Sequence, residues 1–381
     1  MKIPLLDVPA QLKSLEGELI HALSAVIHRG DFILGTEVAE LEKQISQYLN
    51  IRHCIGVSSG TDALLLALMA LDIGPGDFVV TTDYSFFATA GVISRVGARP
   101  IFVDIDLDTY NINPQSLKNT LHSLGQDLAR VKGIIPVHLF GQSADMPSVV
   151  NIAKEYNIPI IEDAAQAIGT ICAIDNATKK AGTIGLMGCF SFFPSKNLGG
   201  IGDAGMIVTA DDNLAEKLKK LRVHGAESQY YHSMIGGNFR IDTIQAAALL
   251  VKLPHLEYWH KKRQQNAAYY DEHLAANKNI SRPYLNCPRD HHIYNQYVIS
   301  VNEKRDELRQ FLANNNIGTA VYYPLPFHLQ PCFSFLENEK GLFPNSEYAA
   351  RHSLALPIFP ELSTEQQDYV VEKMGEFFAK H

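Results

Sequence analysis

From residue 51 onward the chain alternates short runs that are apolar at nearly every position with segments of helical length. HCIGVSSG, DFVVTT, PIFVDID, VKGIIPVHL and IPIIEDAA read as strands, and TDALLLALMALD reads as the helix after the first of them. Strands apolar on both faces, separated by helices, predict a mainly parallel sheet covered on both sides, an α/β fold. CFSFF and AGMIVT follow each other without a helix between them, so part of the sheet is expected to be non-parallel. Ahead of this region Leu12, Leu15, Leu19, Leu23 and Val26 recur at helical spacing, which predicts a helix over 12–27 closed by Gly30.

Past residue 245 the pattern changes. DTIQAAALLVKLPHLEYWHKKRQQNAAYYDEHLAAN is helical throughout except at Pro254, where an interior proline must break or kink it. YNQYVISV alternates as a strand, a helix is expected near Lys304–Asn314, and another closes the chain after Ser363. The organisation expected is a large α/β domain over 1–250, including the N-terminal helical segment, and a smaller α+β domain over 251–381.

Composition narrows the function more than the fold. The 381 residues are 46% hydrophobic and 19% charged, with a formal net charge of -8, which disfavours nucleic acid as the main partner. No apolar run approaches the ~18 residues of a membrane span. The opening MKIPLLDVPAQ lacks the basic-then-apolar layout of a signal peptide, so no membrane partner and a cytoplasmic setting are expected. Five cysteines stand singly, at 54, 172, 189, 287 and 332, which suits a reducing compartment and disfavours a disulfide framework or a metal site.

The stretch FSFFPSKNLGGIGDAG carries two competing signals. Gly200 to Gly205 matches G-x-G-x-x-G, but a dinucleotide-binding turn must follow a strand and open a helix. Here the glycines follow a polar loop and lead into MIVT, a strand. Lys196, just upstream, suits a different chemistry. Apolar neighbours Phe190, Phe192 and Phe193 disfavour its charged form and so favour a nucleophilic amine. Glu162 and Asp163 follow directly on the strand IPII, where ligands of open α/β sheets sit. A carboxylate there can keep the ring nitrogen of pyridoxal phosphate protonated, so that the ring accepts electrons. Ser59, Gly60, Thr61 and Asp62 lie between a strand and a helix, where free N–H groups can hold a phosphate or simply cap the helix. Phe86 follows another strand and is placed either to stack on a ring or to fill core.

Taken together, GTDALLLAL, FFATA, EDAAQAIG, CFSFFPSKNLG and GGNFRIDTIQAA resemble the fold-type I, pyridoxal-phosphate-dependent aminotransferases that act on sugar nucleotides, the DegT–StrS family. IGTAVYYPLPFHLQPCF and LALPIFPEL extend the resemblance nearly to the C-terminus. The resemblance implies that Lys196 is the Schiff-base lysine, Asp163 the partner of the pyridine nitrogen and Gln166 the neighbour of the phenolic oxygen. It implies that Phe86 stacks on the pyridine, and that Gly60, Thr61, Asp62 and Ser191 hold the phosphate. Asn238 matches a residue reaching the phosphate from the neighbouring subunit, which implies a homodimer with shared active sites. Arg240, Tyr322, Tyr323 and His328 are candidate substrate contacts, His328 being equally readable as a structural histidine. The implied reaction moves an amino group from L-glutamate to a nucleotide-linked keto-hexose, for amino-sugar and surface polysaccharide or lipopolysaccharide biosynthesis. RVHGAESQYYH followed by GGNFRIDTIQAA leans toward 3-keto sugars, with a 4-keto sugar as the alternative. Dehydratases of the family carry histidine in place of the lysine, so Lys196 favours amino transfer. A non-catalytic regulator on the same fold is the alternative of a different class.

Overall fold

The computed structural model describes residues 1–175 and 177–380. Its central sheet has seven strands: β1 (His53–Val57), β2 (Phe78–Thr82), β3 (Arg99–Val103), β4 (Val131–Ile135), β5 (Ile161–Asp163), β6 (Met187–Ser191) and β7 (Gly205–Thr209). Their order across the sheet is β3-β2-β4-β5-β6-β7-β1, with parallel bridges at Ile134↔Ile160 and Val137↔Asp163 joining the β4 and β5 sides. Only β7 runs against the others: it is antiparallel to β6 and to β1. The strands CFSFF and AGMIVT are joined by a loop rather than a crossover helix, so the second must reverse.

Successive residues on each strand serve opposite layers. Val80, Ile134 and Met206 belong to one buried cluster, while their neighbours Val79, Ile135 and Ile207 belong to the other. This alternation is why the runs are apolar at every position.

Pro254 sits in a single 3-10 turn, Leu253–His255, between the helices Thr243–Lys252 and Leu256–His273, so the proline interrupts the helical stretch as its chemistry requires. The N-terminal region differs from expectation. A short helix Val8–Lys13 ends at Ser14 and a second runs Glu16–Arg29, because the Leu15 N–H bonds back three residues to Leu12 at 2.9 Å. Gly30 does close the second helix, at φ 70°.

Beyond Leu256, a three-stranded antiparallel sheet forms from Ile280–Ser281, Tyr297–Val301 and Ser353–Leu356. The helices Leu256–His273, Arg305–Asn314 and Thr364–Lys380 contribute to its buried cluster. Ile3, which the sequence pattern grouped with the first domain, is buried in this cluster and bridges Ile317. Residue 381, the end of the expected second domain, lies outside the described residues. Among the described residues no helix is long and apolar enough to cross a membrane.

Candidate active site

A cavity of about 440 Å³ opens beyond the carboxyl ends of β2, β4, β5 and β6. Asp163 is the last residue of β5 and lines it, 4% exposed. Its carboxylate accepts from Thr89 Oγ1 at 2.7 Å and from the Ala165 N–H at 3.1 Å. Burial pushes this carboxyl above the usual range, opposed by the Thr89 and Ala165 hydrogen bonds and by the charge of Lys196.

Lys196 stands on the loop between β6 and β7 and faces the same cavity. Burial pushes its amine down to about 8, with Asp163 pulling the other way. The backbone around it is tied down: Lys196 N–H donates to Phe193 O at 2.8 Å, and Phe192 N–H to Ala204 O at 2.8 Å. Asn197, one residue on, reaches across to Ile293 O at 3.1 Å.

The cavity is also bordered by the start of the helix Gly60–Ala70. Ser59 caps it, accepting from the Asp62 N–H at 3.1 Å, and Ser59, Gly60 and Thr61 line the cavity. First-turn N–H groups such as those of Gly60 and Thr61 have no intrahelical partner and suit an anion. The fit is close: a Cβ at residue 60 would lie 2.7 Å from Ser191 Cβ, so glycine is what lets the helix meet Ser191. The Asp62 side chain instead bonds the Ser58 and Ser59 hydroxyls at 2.7 and 2.9 Å.

Gln166 accepts from the Phe140 N–H at 2.8 Å and donates to Tyr323 Oη at 3.0 Å. Tyr322, Tyr323 and Phe86 all line the cavity, Phe86 being 59% exposed. His328 does not line it. The ring is buried, with Nδ1 2.6 Å from Asp83 Oδ2 and Nε2 3.4 Å from Glu347 Oε1. Arg240 and Asn238 also lie outside the lining. Their segment runs beside β1, bridging Val57 and Val223, and Asn238 is exposed.

Four polar residues of the lining escaped the sequence reading: Ser85, Ser195, Asp203 and Gln296. So did Thr89, which supports Asp163. The available signal was position, since Ser85 and Thr89 stand shortly after a strand's carboxyl end, beside Phe86. An amine with a lowered proton affinity, a buried carboxylate and a helix N-terminus around one cavity fit pyridoxal phosphate, with its aldehyde, ring nitrogen and phosphate.

Fold and site together define a pyridoxal-phosphate-dependent enzyme of fold type I, an aminotransferase. The chain belongs to the DegT/DnrJ/EryC1/StrS aminotransferase family, whose model matches residues 13–375. It is 47% identical to the pleiotropic regulatory protein of Geobacillus stearothermophilus, covering 99% of both chains. It is 40% identical to the UDP-N-acetyl-3-dehydro-alpha-D-glucosamine 3-aminotransferase of Acidithiobacillus ferrooxidans, over 96% of this chain and 95% of that one. Its fold matches that of NtdA from Bacillus subtilis with bound cofactor PMP, with a TM-score of 0.89 and 31% identity over 98% of this chain and 85% of that one. Sugar-nucleotide amino transfer in amino-sugar biosynthesis is the activity of this group.

Proposed function

We propose that the protein transfers an amino group from L-glutamate to a nucleotide-linked 3-keto hexose, as a step toward surface polysaccharide or lipopolysaccharide. The observation that carries this reading is the convergence of Lys196 and Asp163 on one cavity. The bound cofactor supplies a reactive aldehyde and a ring able to take up electrons. Lys196 Nζ would hold the cofactor and, as a free amine, would serve as the base that carries the proton of the donor's α-carbon. A lysine whose amine is already pushed down to about 8 reaches its free, basic form near neutral pH. Asp163 would keep the ring nitrogen protonated, while Thr89 and the Ala165 N–H keep the carboxylate oriented. Gly60, Thr61 and Ser191 would hold the phosphate, with Gln166 toward the phenolic oxygen and Phe86 toward the face of the ring. Tyr322 and Tyr323 contact substrate. Asn238 and Arg240 lie away from the cavity of their own chain, which suits a homodimer in which each serves the neighbouring site.

The 40% identical relative, named as a 3-aminotransferase, favours the 3-keto sugar over the 4-keto one. The name of the 47% identical relative favours a regulatory reading as a second possibility, and the two are separable in one assay. Purified protein is offered glutamate and a panel of nucleotide-linked 3-keto and 4-keto hexoses. Amination of 3-keto members supports the proposal; amination of 4-keto members alone redirects it, and no amination of any member supports the regulatory reading.

A further inference from the structure

The glycines of Gly199-Gly200-Ile201-Gly202 follow Lys196 but make no nucleotide-binding turn, and the fold shows what they face instead. The helix Thr243–Lys252 lies behind the loop. Gln245 Oε1 accepts from the Ile201 N–H at 2.9 Å, and Lys252 Nζ donates to the Gly199 carbonyl. Seven residues apart, Gln245 and Lys252 share one face of that helix. A Cβ at Gly200 would lie 2.7 Å from Gln245 Oε1. A Cβ at Gly202 would lie 2.6 Å from Gln245 Nε2, and the atoms it meets within 4 Å all belong to Gln245. Neither glycine has a left-handed φ, so space rather than backbone conformation is what an added side chain would disturb.

We propose that Gln245 and Lys252 are positioning residues that clamp the Lys196 loop from behind, and that Gly200 and Gly202 are small to admit Gln245. The inference rests on Lys196 being the residue that captures pyridoxal phosphate. Gly200 N–H donates to Phe192 O at 2.7 Å, so fixing Gly199 and Ile201 from outside also fixes the neck of the loop that presents Lys196. Lys252 is a costly way to hold a carbonyl. It is fully buried, and burial lowers its amine to about 8 with no carboxylate contributing. An apolar side chain of similar volume is often neutral or stabilising where a charge is buried. The clamp therefore predicts that stability and function separate at this position.

The test follows covalent capture of pyridoxal phosphate by cofactor-free protein, trapped with borohydride and read by mass on the Lys196 peptide, beside thermal unfolding of the same samples. Gln245→Ala and Gly202→Ala should each slow capture between about tenfold and a hundredfold, the range that follows from small displacement of a reacting group. Since Gly202→Ala acts by pushing Gln245 aside, the double variant should be no slower than Gln245→Ala alone. Lys252→Met should slow capture while leaving the melting temperature equal or higher. Capture at the wild-type rate in Gln245→Ala and Gly202→Ala overturns the clamp, as does a double variant in which the two losses multiply. A lower melting temperature with unchanged capture in Lys252→Met overturns the part given to Lys252. If wild-type protein forms no adduct on Lys196, the assignment of that lysine fails first and takes the clamp with it.

Discussion

Thr89→Val isolates the support of Asp163 from the carboxylate itself. Valine matches threonine in shape but removes the hydroxyl that donates to Asp163 Oδ2 at 2.7 Å, at a position with no exposure to solvent. A hydrogen bond to a charged group contributes about 1.5–3 kcal/mol. Water cannot readily replace it here, and among the described residues Asp163 keeps the Ala165 N–H at 3.1 Å as its hydrogen-bond donor. The Asp163 carboxyl already sits above its ordinary range because of burial, and losing the donor raises it further. A group whose folded value is raised costs stability once pH exceeds its unfolded value. The variant's deficit should therefore grow as pH rises and vanish in acid, where Asp163 is protonated in both folded forms. In activity, the acidic limb of the kcat profile should move toward higher pH in the variant, because the carboxylate form of Asp163 becomes harder to reach. Urea unfolding of cofactor-free protein at several pH values and steady-state turnover across the same range check both halves, with Thr89→Ser as the control that keeps the hydroxyl. Superimposable profiles and a pH-independent stability difference would refute the role given to Thr89.

Asp163→Asn should still take up cofactor but turn over at least about tenfold more slowly, which is ~1.4 kcal/mol of barrier, since an amide carries no charge to hold the ring-nitrogen proton; a smaller loss removes Asp163 as the ring partner. Lys196→Ala should fold and yield no borohydride-stable adduct, and near-wild-type turnover would end its assignment. In wild type the rate of adduct formation should climb as pH rises through about 8 and then level, because only the free amine attacks; a rate flat through that range contradicts the lowered amine. Mixing Lys196→Ala with Asn238→Asp chains should restore activity above the mean of the parents, because one site of each mixed dimer regains both residues. Mixed dimers without recovery would exclude a shared site.

The sheet was legible because both of its faces are buried. Val79 and Val80 point into different clusters, and only a doubly covered strand requires apolar residues at both positions. The reversal of β7 was equally readable from the missing helix. Lys196 and Asp163 could be found because each stands beside a strand end, where chain order alone sets the location. Thr89 could not be found in that way, since it meets Asp163 across 74 residues and looks like any polar residue of a helix. The same limit applies to Ile3, whose place beside Ile317 depends on tertiary packing and leaves no periodic trace. The glycines after Lys196 matched a nucleotide motif because sequence records the absence of a side chain but not what takes its place. Gln245 is what occupies that space.

The one reversed strand also bears on how the protein is made. β1 is complete at Val57, yet the strand it pairs with is β7, and His53 lacks its strand partner until Thr209 has emerged from the ribosome. Until then this apolar segment cannot pair as a strand and stays exposed, a template for adhesion to other chains. Pairing across so long a stretch is slow, because the loop must close before any contact rewards it. Translation halted between the two strands should thus leave a sticky intermediate, and a holdase bound to that interval would raise the yield of native enzyme.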